Sequence, residues 1–98
     1  NPAIKSIISL ISRITILVDQ EILNHGQGES LITLLEAAEN HVKRDRAIPA
    51  INQIHAFMNH ITAFLRAGVL TQSQGEALLT LADNIIVHLT PQHQAFSP

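Results

Sequence analysis

The sequence predicts an all-α domain: an antiparallel four-helix bundle made of two duplicated helical hairpins related by a pseudo-two-fold axis. Three observations predict it. Apolar residues recur at alternating spacings of three and four, the period of a helix packed along one side rather than of a strand. The chain matches itself at an offset of 47 residues without a gap, so that Pro2-Ala3-Ile4 lies over Pro49-Ala50-Ile51, and Gln27-Gly28-Glu29 over Gln74-Gly75-Glu76. Residues that start and stop helices stand between the periodic segments.

The first helix is expected over residues 2–24. Pro2 suits its first turn, where a missing N–H costs nothing. Its seam is Ile4, Ile7, Ile11, Ile14 and Val18, with Leu10 and Leu17 on one flank. Isoleucine alone favours strand, but here the period overrides it. The second helix, over 25–44, carries Leu31, Leu34, Leu35, Ala38 and Val42 on one face. Asn24 with Gln27 three residues on forms a capping-box pattern at its start. Lys43-Arg44-Asp45-Arg46 closes it, where the helix dipole favours cations.

The third helix, over 49–67, repeats the first, with Ile51, Ile54, Met58, Ile61 and Leu65 as seam and Phe57 and Phe64 as flank. Pro49 suits its first turn, and Gly68 is placed as the left-handed residue that closes it. The fourth helix, over 72–89, repeats the second with Leu78, Leu81, Ala82, Ile85 and Leu89. Thr71 and Gln74 form its capping box. Glu29 and Glu76 are expected in first turns, where the dipole favours acids. Pro91 stops the fourth helix, and residues 91–98 read as a polar tail or linker. One domain, 1–90, is expected, with hairpins at 1–46 and 47–90. A single hairpin cannot bury its own apolar face, whereas two can close over each other.

Composition narrows the function classes. Of 98 residues, 14% are charged and 46% hydrophobic, and the formal net charge is −2. Soluble domains average roughly 25% charged residues, so an unusually uncharged surface is expected. The negative balance argues against nucleic acid as a partner. No apolar run approaches the ~20 residues that span a bilayer, so membrane insertion is not expected. Cysteine is absent, which leaves out disulfides, thiolate metal sites and thiol nucleophiles. No signal peptide is visible, and the start at Asn1 rather than Met suggests a piece of a longer protein.

Candidates for chemistry are few. The chain has six histidines. His25 falls in a turn and His93 in the tail. His41 and His88 correspond at the 47-residue offset, each in a last helical turn where the dipole favours their charged form. A zinc site shared between them would need further converging ligands, and no His-x-x-x-His or Glu-x-x-His pair supplies them. His55 and His60 are five apart and diverge around their helix by roughly 140°. His60 remains a polar candidate with no assigned role. Glu36 with Asp83, and Glu29 with Glu76, correspond at the same offset and read as solvated helix surface. Gly26, Gln27 and Gly28 follow no strand and precede no lysine, so they read as a helix start rather than a phosphate loop. No nucleophile elbow is present. No catalytic residue, metal ligand or cofactor is assigned.

The better signal is where the halves differ. Ile16 points away from the seam and Ile8 lies on its flank, and their counterparts are Ala63 and His55. Leu79 and Ile86 widen the fourth helix's stripe, Val87 points outward, and their counterparts are Ile32, Glu39 and Asn40. The first and fourth helices are neighbours in an up-down-up-down bundle. Ile8, Ile16, Leu79, Ile86 and Val87 are therefore expected to form a docking face.

Ala38-Glu39-Asn40-His41-Val42 and the run from Ala50 through Phe57-Met58-Asn59-His60-Ile61 resemble the FIMAH-type helical domain. Ala67-Gly68-Val69-Leu70-Thr71, Ala77-Leu78-Leu79 and Ala82-Asp83-Asn84-Ile85-Ile86 continue the pattern, so the resemblance covers residues 4–89. It implies an extracellular or cell-surface accessory module at the C-terminus of a larger bacterial protein, often behind hydrolase or adhesive modules. It supplies no catalytic residues to transfer. The leading expectation is a non-catalytic module for domain docking, spacing or protein–protein interaction, with other domains of its parent protein as partners. The alternative is a module binding an extracellular polysaccharide or cell-wall component. Carbohydrate recognition favours exposed aromatics, and the chain holds only Phe57, Phe64 and Phe96. A homodimer joined through the same apolar face is a third reading.

Overall fold

The computed structural model describes residues 1–90 and places four helices in chain order: α1 Pro2–Asp19, α2 His25–Lys43, α3 Ala47–Arg66 and α4 Gln72–Leu89. The expected tail at 91–98, with His93 and Phe96, lies outside the described residues. α1 packs on α2 and α4, and α3 packs on α2 and α4, so helices adjacent in the chain are adjacent in space and α4 closes back onto α1. This is an up-down-up-down bundle with short connections.

The capping boxes of α2 and α4 form as the sequence implies. Gln27 N–H donates to Asn24 Oδ1 at 2.7 Å, and Asn24 N–H donates to Gln27 Oε1 at 2.9 Å. Gln74 N–H donates to Thr71 Oγ1 at 3.1 Å, with the return bond from Thr71 N–H to Gln74 Oε1 at 2.9 Å. α1 has a cap of its own, since Ala3 N–H donates to Asn1 Oδ1 at 2.8 Å. Glu29 and Glu76 correct the expectation made for them. Neither stands in a first turn, because α2 begins at His25 and α4 at Gln72.

The largest correction concerns the end of α1. It stops at Asp19 rather than running to residue 24. Glu21 takes a left-handed conformation at φ 62°, Glu21 N–H donates to the Val18 carbonyl, and Ile22 N–H donates to the Leu17 carbonyl. That pair of bonds is a Schellman closure. The same pair closes α3, where Gly68 (φ 77°) donates to Leu65 and Val69 donates to Phe64. Asp45, at φ 57°, takes the left-handed position after α2. The glycine signal exposes only the second of these, because glutamate and aspartate carry no such mark. α3 begins at Ala47, before Pro49, which still falls in the first turn.

The core is centred slightly off the expected seam. In α1 the buried residues are Ala3, Ile7, Leu10, Ile14 and Leu17, while Ile4, Ile11 and Val18 are only partly covered. In α3 they are Ala50, Ile54, Phe57 and Ile61. The flank residues Leu10 and Phe57 thus sit at the centre, since a helix packed on two neighbours covers a wide stripe. Leu31, Leu35, Ala38 and Val42 of α2 meet them, with Leu78, Ala82 and Ile85 of α4. Leu23 and Leu70, in corresponding connections, close one end of the core.

Gly28 and Gly75 serve close approach. A Cβ built on Gly28 would collide with Val18 Cγ2, and one on Gly75 with the Leu65 isobutyl group. Val18 and Leu65 are themselves 47 residues apart, as are the two glycines.

Candidate functional site

Which side chains reach the surface is set by how the helices expose their flanks. Between α1 and α4 lies a groove of about 170 Å³, lined by Arg13, Ile16 and Leu17 on one side and Gln74, Ala77 and Leu78 on the other. Leu17 and Leu78 are its apolar floor, continuous with the core. Ile16, half exposed, is its lip. Gln74 is fixed there by its capping bond to Thr71.

This groove orients the whole bundle. On α1, Arg13 marks the flank facing α4, while Thr15, Val18 and Asp19 line a separate hollow shared with His25, Glu29 and Ile32 of α2. On α4, Gln74 and Ala77 mark the flank facing α1, so residues roughly 120° or more away around that helix, such as Glu76 and Asp83, lie toward α3. The same reckoning places Glu36 and Glu39 with Glu29, toward α1. The helical carboxylates therefore lie on the faces within each hairpin, and none lines the α1/α4 groove.

The five residues expected to form one docking face are dispersed by this geometry. Ile16 lines the groove, and Val87 is exposed on the back of α4. Ile8 is exposed on the back of α1 and leans toward α2. Leu79 and Ile86 are partly buried against the core on the α3 side. Ile48, the most exposed large apolar residue described at 71%, belongs to none of these positions. Sequence reasoning gave Arg13 no role. Its position three residues before Ile16, on the same flank, was the available signal.

The histidines occupy separate environments. His41 is partly covered and His88 exposed, each in the last turn of its helix. His60 is exposed, and its ring centroid lies 6.3 Å from that of Phe64, tilted by 44°. It lines a shallow hollow with Ala56, Asn59 and Ala63, positions that correspond to Arg13, Ser9, Ser12 and Ile16 at the 47-residue offset. Among the described residues no group of three or more His, Cys, Asp or Glu is placed to hold a metal ion. The ion pair described joins Lys43 Nζ to Glu39 at 3.1 Å, one turn apart on α2. Among the described residues no helix is long and apolar enough to cross a membrane.

The comparisons with curated proteins and with solved structures give no match. A family model, described as the FIMAH domain, matches residues 7–87. That span takes in all but the outermost turns of the bundle, from the first core isoleucine of α1 to the last turn of α4, and the chain belongs to the FIMAH domain family.

Proposed function

We propose that this chain is a non-catalytic accessory module of a larger secreted or surface-attached bacterial protein, and that it acts by docking against another domain or protein. Membership of an accessory-domain family supports the reading. The observation that carries it is the α1/α4 groove, apolar at its floor and edged by the half-exposed Ile16. Exposed apolar surface gathered at a groove is one kind of surface that partners cover.

Polymer binding is less well supported. Phe57 is fully buried and Phe64 is partly covered beside His60, so neither described phenylalanine is a fully exposed platform for a sugar, and Phe96 lies outside the described residues. A pelleting assay separates the readings. The 98-residue chain is mixed with insoluble cell wall and with insoluble polysaccharides, then spun down. The docking reading expects the chain to remain in the supernatant. Saturable retention on one material would overturn it in favour of a targeting module.

A further inference from the structure

We propose that the α1/α4 groove receives an apolar side chain from a partner polypeptide that also carries a carboxylate, and that Arg13 holds that carboxylate. The inference deepens the docking reading and rests on it. Three observations support the choice of occupant.

The first is size and lining. The groove, at about 170 Å³, is floored by Leu17 and Leu78 and walled by Ile16 and Ala77. Apolar cavities of roughly 150 Å³ admit a benzene-sized guest, so there is room for one leucine or phenylalanine side chain. Its burial would remove Ile16 and Ala77 from water at the same time.

The second is charge. Arg13 lines the groove, and among the described residues it forms no ion pair. No carboxylate lines the groove with it. Asp19 and Glu29 belong to the α1/α2 hollow, and helix geometry turns Glu76 and Asp83 toward α3. A cation bordering an apolar groove without an internal counter-ion favours an anionic partner over a cationic one. The guanidinium fork matches a carboxylate with two parallel hydrogen bonds, which fixes orientation as well as charge. Such a pair gains strength as the partner covers the site and lowers the local dielectric.

The third is the contrast with the corresponding surface on α3. There His60 stands where Arg13 does, already beside the Phe64 ring, and Ala63 stands where Ile16 does. That hollow lacks both the permanent cation and the large apolar lip. The difference favours the α1/α4 groove over the corresponding α3 surface for this contact.

The test uses two blocked, alanine-based helical peptides, one with leucine and glutamate four residues apart, the other with lysine in place of the glutamate. Each is titrated into the isotopically labelled chain and followed by amide and arginine side-chain NMR shifts. The glutamate peptide is expected to shift Ile16, Ala77 and the Arg13 Nε–H, and to bind more tightly than the lysine peptide. Arg13→Ala should weaken it about tenfold, the scale of one lost hydrogen bond to a charged group. Arg13→Glu should reverse the preference between the peptides. Arg13 is exposed on a helix, so neither variant removes a core contact. Absence of shifts at these residues, equal response to both peptides, or shifts confined to Ala56 and His60 would overturn the proposal. None of these outcomes bears on retention by polymers, so the docking reading stands or falls on the pelleting result separately.

Discussion

Glu21 and Gly68 hold the same left-handed backbone conformation, at φ 62° and 77°, each as the residue after a helix C-cap and 47 residues apart. Glycine adopts it freely, whereas for an L side chain it costs about 1–2 kcal/mol. Glycine also has more freedom to lose on folding, which takes back roughly 0.5–1 kcal/mol. Glu21→Gly is therefore expected to stabilise the domain by about 0.5–1 kcal/mol. A Cβ on Gly68 would meet nothing within 4 Å, so Gly68→Ala should cost about 1 kcal/mol through backbone strain alone. Urea denaturation of both variants with unchanged m-values would bear this out; destabilisation by Glu21→Gly would contradict it.

Gly28→Ala sets two effects against each other. Alanine is better than glycine inside a helix by about 1 kcal/mol, but its methyl group would collide with Val18. Val18 is β-branched and stiff, so overpacking, at about 1–3 kcal/mol, should win. Adding Val18→Ala should recover part of the loss. A double-mutant cycle measured by thermal melting would read this coupling, and strict additivity would sink the packing explanation.

Asn24→Ala and Thr71→Ala each remove one acceptor of a reciprocal capping box. Each should cost about 1 kcal/mol, roughly 4–8 °C in Tm for a domain of this size. The two boxes share no hydrogen-bonding partner, so the losses should add. Differential scanning calorimetry of the single and double variants tests both statements.

Phe57→Ala should remove a large share of the stability. Phe57 is fully buried at the centre of α3, and such truncations cost about 3–5 kcal/mol. A chain of this length has on the order of 5–15 kcal/mol in total. Ile48→Ser, by contrast, alters a side chain that is 71% exposed and should change stability by less than about 0.5 kcal/mol. Circular dichroism at rising urea would show the two midpoints far apart.

Helix number, order and most core positions were legible because burial writes a 3.6-residue period into the sequence, as in Ile7, Ile14, Ile54 and Ile61. Capping was legible where it relies on side chains with a strong positional preference, as at Asn24 and Thr71. The end of α1 was not, because Glu21 takes a glycine's role without being one. The candidate site was legible only in part. Apolar character identified Ile16, but whether Ile8, Leu79, Ile86 and Val87 share its surface depends on how each helix is rotated about its axis. Tertiary packing decides that rotation, and a helical wheel of a single segment does not contain it. Arg13 escaped notice for the same reason: a cation is informative only once its neighbours are known.

Asn1 and Leu89 line one small hollow together with Arg46, at the end of the bundle opposite the Leu23 and Leu70 connections. Tension entering at residue 1 and leaving at residue 90 would therefore not run along the helices. It would pull α1 and α4 apart from one end, breaking one layer of side-chain contacts at a time rather than the whole interface at once.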